Sequence, residues 1–290
     1  MRKLLAVAVL LVLGIPVAAD RGSIAHDPQA KIFEPAQRSI IAWNGKTEML
    51  LLSTDMHASV ETRILEILPL PAEPKVKKGD LESFKVANRL IEQNFRRPGA
   101  RGAKALSNDG APEGPAAEVT FHEKIGAHDI SVAKVLDADR FSDWVSAFVK
   151  KNGMEGLKVS KEYRDLIETY LADKFQWFVL DVVDLKKEAR TLDPIQYTFD
   201  CDYLYYPLRI SSLENGRTDI RIIVLTPRLL RKFPGQKVRL EHEPFQIAIA
   251  DVSAISADMA DLLKGTQPFL RIWRCEGELR EFKHDLVAAE

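Results

Sequence analysis

The chain has 290 residues, of which 46% are hydrophobic and 29% charged, and its 41 basic and 42 acidic residues leave a formal net charge of −1. These are ordinary globular proportions, and so even a charge balance argues against nucleic acid or an anionic lipid surface as a partner. A chain of this length can bury a substantial core, as one large domain or as two closely packed subdomains.

The first nineteen residues stand apart. Arg2 and Lys3 precede an unbroken apolar run from Leu4 to Leu13, Gly14 and Pro16 end any helix, and Val17, Ala18 and Ala19 offer small residues to a protease. This is the layout of a secretory signal peptide, with cleavage expected between Ala19 and Asp20. The sixteen residues from Leu4 to Ala19 fall short of the roughly 20 needed to cross a hydrocarbon core, which argues against an uncleaved anchor. No cysteine follows the run, so a lipoprotein is not expected. Removing residues 1–19 leaves 39 basic and 42 acidic side chains, about −3 in formal charge. The mature chain, residues 20–290, is expected to be secreted or periplasmic, with no membrane span.

Beyond the leader, short apolar runs alternate with turn residues. Gln37 to Trp43, the pair Asn44-Gly45 and Thr47 to Thr54 predict a β-hairpin, with Asn-Gly supplying the two positive φ values of a type I′ turn. Arg63 to Leu68 reads as a further strand, stopped by Pro69, Pro71 and Pro74. After Gly79 the period becomes helical to about Asn94, with Leu81, Phe84, Ala87, Leu90, Ile91 and Phe95 on one face. Residues 96–117, rich in Gly, Pro, Ala, Ser and Asn, read as a mobile surface loop. Its Arg96, Arg97, Arg101 and Lys104 do not fit the Gly-x-x-x-x-Gly-Lys-Ser/Thr spacing of a phosphate-cradling loop.

Glu118 to Lys124 and Asp129 to Leu136 predict two strands joined by a turn at Gly126. Asp137 is placed to cap the next helix, whose buried stripe is Phe141, Trp144, Val145, Phe148 and Val149 and whose stop is Asn152-Gly153. Ser160 caps a second helix with Tyr163, Leu166, Ile167, Tyr170 and Leu171 on its apolar face. Phe175 to Val183 is nearly all apolar and so belongs at the centre of a sheet. Ile195 to Phe199 and Tyr203 to Ser211 read as strands, and Asn215-Gly216 is a second hairpin signal before Thr218 to Leu225. A helical turn at Pro227 to Lys232, a strand from Phe245 to Ala250, a short helix from Ile255 to Leu263 and a strand from Phe269 to Cys275 complete the pattern. The predicted fold class is α+β, mainly antiparallel sheets with a helical pair inserted between strands.

Cys201 and Cys275 allow one disulfide in an oxidising compartment, or two separate buried thiols. Their wide separation argues against a Cys-x-x-Cys redox pair. The strongest chemical signal is Phe121-His122-Glu123-Lys124-Ile125-Gly126-Ala127-His128-Asp129. A tight turn at Gly126 would bring His122, Glu123, His128 and Asp129 onto neighbouring strand ends, where two imidazoles and a carboxylate could ligate zinc and leave a position for water. The spacing is not His-Glu-x-x-His, and a solvated hairpin end explains the same residues. Asp200 and Asp202 flank Cys201 but do not supply the six or more oxygens of a calcium site. Tyr203, Tyr205 and Tyr206 could form a sugar platform or pack within a strand, which tyrosine favours. No Gly-x-Ser-x-Gly elbow is present, and no cofactor is implied.

Several passages, in order, resemble one family. The run His128 to Gly153, the passage Tyr170-Leu171-Ala172-Asp173-Lys174-Phe175-Gln176-Trp177-Phe178 entering a strand, and Pro194 to Ser211 with Tyr206-Pro207-Leu208-Arg209 are similar to the prokaryotic secreted domain-of-unknown-function family numbered 2330. Upstream, Leu68-Pro69-Leu70-Pro71 and Pro74-Lys75-Val76 resemble that family's Leu-Pro-x-Pro segment. The resemblance spans about residues 37 to 230 and implies export and an α+β fold. It carries no catalytic residues. Many members open with a Cys-Gly-Gly stretch, where this chain has Asp20-Arg21-Gly22-Ser23-Ile24, so any cross-link made by those cysteines is missing here.

Two functional readings follow. The first is a non-catalytic extracytoplasmic binding or structural module whose partner is a protein, a glycan or a small molecule. The second is a secreted metal-dependent hydrolase in which His122, Glu123 and His128 hold zinc and Glu123 acts as general base.

Overall fold

The computed structural model describes residues 21–96, 119–214, 216–230 and 238–289. The expected signal peptide with its Ala19–Asp20 cleavage point lies outside these residues, as does the expected loop from 97 onward. In chain order the first elements are β1 (Gly22–Ala25), β2 (Ile32–Trp43), β3 (Thr47–Ala58), β4 (Thr62–Leu70), β5 (Lys75–Lys78), α1 (Leu81–Arg96), β6 (Val119–Ile125) and β7 (His128–Lys134). The helical pair α2 (Ala138–Lys151) and α3 (Lys161–Ala172) follows, then β8 (Trp177–Leu185), β9 (Arg190–Thr191), β10 (Ile195–Asp200), β11 (Leu204–Tyr206) and β12 (Arg217–Thr226). The last are β13 (Val238–Leu240), β14 (Phe245–Gln246), α4 (Ile249–Ile255), α5 (Ala257–Leu262), β15 (Phe269–Glu278) and β16 (Leu286–Ala288).

The strands form a five-stranded sheet, β1-β4-β8-β7-β6, and a nine-stranded sheet with the path β13-β15-β12-β2-β3-β10-β5, to which β14 and β9 add. A small β11-β16 ladder stands beside them. Among the described residues every pairing is antiparallel except β2 with β12. The chain is therefore α+β, with α2 and α3 inserted between β7 and β8.

Strand alternation dictates the layers. Glu66 sits opposite Asp181, and Ile64 opposite Val183, which in turn faces His128, so these side chains share one face of the smaller sheet. Phe178, Leu180 and Val182 point to the other face. There α2 and α3 pack, with the Phe178 ring 5.4 Å from Phe141 and 6.2 Å from Tyr170, centroid to centroid. The first face meets the larger sheet, where Met56 and Ala58 of β3 cluster with Ile64, Val183 and Leu185. The larger sheet's far side, with Ile40, Leu51 and Ile223, forms its own core with Phe84, Ala87 and Ile91 of α1 and Val252, Ile255 and Met259 of the C-terminal helices. The order is helix, sheet, sheet, helix.

Several local expectations change. The β2–β3 connection is not a type I′ turn, because Gly45 takes a positive φ of 97° but Asn44 does not. Instead the Asn44 side-chain oxygen accepts from the backbone N–H groups of Lys46 and Thr47 at 3.0 and 2.9 Å, a local bond that competes with the tighter turn. Strand β4 runs through Pro69 to Leu70. The run Tyr203 to Ser211 shortens to three strand residues followed by a 3₁₀ turn, Arg209–Leu213. Phe245 to Ala250 gives only β14 before α4 begins at Ile249. No helix forms at 227–230, and the rest of that expected turn lies outside the described residues, as does Asn215.

Ser160 caps α3 as expected, accepting from the Tyr163 backbone N–H. Gly126, in the β6–β7 turn, has φ +61°, and a Cβ there would lie 1.9 Å from Asp193 Oδ2. Gly126→Ala is therefore expected to cost about 1–2 kcal/mol in urea unfolding, since both the backbone conformation and the Asp193 side chain oppose it.

Candidate functional site

The structure separates the three residues of the predicted metal hairpin. In the β6–β7 ladder Glu123 pairs with Ile130 and Ile125 with His128, whereas His122 pairs with Ser131. Alternation puts His122 on the opposite face of the sheet from His128. His122 Nδ1 lies 3.0 Å from Ser131 Oγ and 3.4 Å from Asp129 Oδ1. Glu123 is exposed and His128 is buried. The three side chains do not converge on one point.

His128 instead belongs to a cluster that closes between the two sheets. Arg21 Nη1 donates to Glu66 Oε2 at 2.5 Å and lies 3.7 Å from Asp181 Oδ2, and Arg21 Nη2 donates to the Tyr197 hydroxyl at 3.3 Å. His128 Nδ1 is 2.5 Å from Asp181 Oδ2, and its Nε2 is 3.1 Å from the Asp193 carbonyl oxygen. The Arg21, Glu66, Asp181 and His128 side chains are at most 4% exposed.

These contacts assign the charges. A carbonyl only accepts, so Nε2 carries a proton; a carboxylate at hydrogen-bond distance from Nδ1 takes the second. Desolvation pulls the His128 pKa down, but the Asp181 charge and hydrogen bond outweigh it, and the pKa is raised. With the ring protonated, Arg21 and the imidazolium face two carboxylates, which is the condition for keeping charges in a dry interior.

Donor atoms of Glu66, His128 and Asp181 lie within 4.8 Å of one another, close enough in distance to hold a metal ion. The chemistry of the set is less suitable. A divalent cation would have to take the Nδ1 lone pair and sit beside the Arg21 guanidinium, leaving excess positive charge where no water can screen it. The cluster is a charge-compensated brace that ties the N-terminal segment to both sheets. Gly22, next to Arg21, shows how closely that segment packs, since a Cβ there would lie 2.7 Å from Tyr163 Cε1 and 2.9 Å from Ile210 Cγ1.

Two other buried polar positions lie away from this cluster. Glu48 is fully buried on β3, accepts from the Tyr205 backbone N–H at 2.7 Å, and has no hydrogen-bond partner for Oε1 among the described residues. Burial holds its pKa well above the ordinary carboxylate value. Asp285 anchors the C-terminal segment, accepting from the Leu208 and Arg209 backbone N–H groups at 2.9 and 2.8 Å and from the Tyr170 hydroxyl at 3.0 Å.

Cys201 and Cys275 are two separate buried thiols, each pushed up to about 12 by burial. Tyr205 and Tyr206 are fully buried, so packing accounts for them. Asp200 and Asp202 are exposed, and Asp200 accepts from the Thr47 hydroxyl at 2.8 Å.

The fold and this cluster define the class of protein, a two-sheet α+β sandwich braced by a buried ionic network. The chain belongs to the family described as an uncharacterized protein conserved in bacteria, DUF2330, whose model matches residues 15–276. No curated protein matches the chain. Among solved structures it is similar to the crystal structure of baculovirus P35, at 9% identity over 92% of this chain and 99% of that one, with a TM-score of 0.43. It is also similar to a mutated baculovirus P35 after caspase cleavage, at 9% identity over 87% and 99% of the two chains and a TM-score of 0.40. A chain in the crystal structure of the caspase-8/P35 complex is similar at 8% identity over 87% of this chain and 96% of that one, with a TM-score of 0.37.

Proposed function

We propose that the mature chain is a non-catalytic extracytoplasmic binding or structural module, exported through its N-terminal leader and cleaved between Ala19 and Asp20. The observation that carries this reading is the closure of the Arg21–Glu66–Asp181–His128 cluster. Its charges cancel internally, and both imidazole nitrogens are committed to acceptors. The ring then has no lone pair for a metal, and the Arg21 guanidinium beside Glu66 and Asp181 opposes a further cation. The separation of His122, Glu123 and His128 supports the same conclusion. Among the described residues no helix is long and apolar enough to cross a membrane.

Elemental analysis of protein purified without added metal tests the reading. Substoichiometric zinc, manganese and iron are expected. Stoichiometric metal lost in Glu66→Gln or Asp181→Asn, with hydrolase activity lost alongside, would overturn it in favour of a metal centre at the buried cluster. N-terminal sequencing of exported protein is expected to begin at Asp20.

A further inference from the structure

A cleft of about 380 Å³ opens where the ends of β4 and β8 and the β6–β7 turn meet the C-terminal end of α2. Arg63 lies along it, held by two acceptors: Nε donates to Asp184 Oδ1 at 2.7 Å and Nη1 to the Asn152 carbonyl at 2.8 Å. The guanidinium is thereby fixed, and its Nη2 makes no hydrogen bond among the described residues. Gly153, the α2 stop residue with φ +70°, makes that placement possible, because a Cβ there would lie 2.6 Å from Arg63 Nη1.

Lys124 and Lys151 line the same cleft. Neither has a carboxylate partner among the described residues; of the two carboxylates present, Asp184 pairs with Arg63, while Asp129 Oδ1 lies 3.4 Å from His122 Nδ1 and has no hydrogen-bond partner among the described residues. Three cationic side chains, Arg63, Lys124 and Lys151, thus stand against two carboxylates in the cleft, a formal excess of one positive charge, and one of the three N–H-bearing groups is already oriented. A guanidinium that need not be ordered on binding loses little entropy, and charge-assisted hydrogen bonds to an oxyanion are the strong ones.

We propose that this cleft binds a small oxyanion, a carboxylate or phosphate group, between Lys124, Lys151 and Arg63. The proposal deepens and rests on the binding-module reading. Because the cleft is open to solvent, the interaction weakens as ionic strength rises.

Isothermal titration of the mature chain with inorganic phosphate and, separately, with succinate tests it and tells the two oxyanion chemistries apart. Saturable one-to-one binding of at least one anion is expected. The double variant Lys124→Ala, Lys151→Ala should weaken binding by about tenfold or more, while Lys85→Ala, Lys161→Ala, which alters lysines paired elsewhere on the surface, leaves it unchanged. Circular dichroism checks that both variants stay folded. Absence of saturable binding by either anion, or unchanged binding in the Lys124/Lys151 variant, overturns the proposal. A chain that stays metal-free yet binds neither anion loses this site alone; stoichiometric metal overturns the wider reading instead.

Discussion

Arg21→Ala is expected to destabilise the fold by about 3–5 kcal/mol, the cost of leaving a buried charge uncompensated. Arg21 is 3% exposed, and its removal leaves Glu66 and Asp181 facing a single imidazolium between two dry sheets. It also removes the side-chain bonds from the residue before β1 to Glu66 of β4 and Tyr197 of β10. A compensating change distinguishes charge balance from lost packing. Arg21→Met combined with Glu66→Gln again matches one cation with one anion, His128 with Asp181, and is expected to recover most of the loss. The corresponding double-mutant cycle in urea should give a large coupling energy between the two positions. Simple additivity of the two single changes would show that the residues do not act as a pair.

Glu48→Gln should act in the opposite direction. The Glu48 carboxyl is fully buried and its folded pKa is raised by desolvation, with the Tyr205 hydrogen bond opposing the shift. Burial thus favours the protonated carboxyl in the fold, whereas the unfolded chain carries it ionised at neutral pH. Its contribution to stability is therefore fully present below the unfolded value of about 4.3 and lost as pH rises through the folded pKa. Glutamine keeps the shape and the acceptor without that proton uptake. Thermal or urea unfolding is expected to show a gain of about 1–3 kcal/mol near pH 7.5 that shrinks towards pH 4. An equal gain at both pH values would mean that packing, not protonation, separates the two side chains. His128 and Asp285 have raised pKa values as well, so the sign is shared: the stability contributed by His128 is present below about 6.5 and lost as pH rises through its folded value, and that of Asp285 is lost from lower pH upward. The wild-type chain should consequently be more stable in mild acid than at pH 8.

Most of the secondary structure was legible because burial imposes a period. Phe84, Ala87 and Ile91 marked α1, and the apolar run at 175–183 marked the strand that lies between β4 and β7. The short edge strands β1, β5, β9 and β13 have too few residues to show a period, and their positions depend on the strand beside them. The buried cluster was harder to see. Its four charged members come from positions 21, 66, 128 and 181, and nothing local connects them. A signal existed in two places, Ile64-Leu65-Glu66-Ile67-Leu68 and Val179-Leu180-Asp181-Val182-Val183, where one carboxylate interrupts an otherwise apolar strand; such a residue needs a buried partner. Proximity in sequence drew attention to the His122–His128 hairpin instead, but alternation across a β-ladder sends those two rings to opposite faces.

Nitrogen-resolved NMR of His128 across pH tests the central claim, that this imidazole is a doubly protonated cation within a closed ionic brace. Protons on both Nδ1 and Nε2 are expected to persist above the pH at which a free histidine becomes neutral, with no change when zinc is added. A neutral ring at pH 7 with an unprotonated Nδ1 that shifts on adding stoichiometric zinc would contradict it and identify the cluster as a metal site.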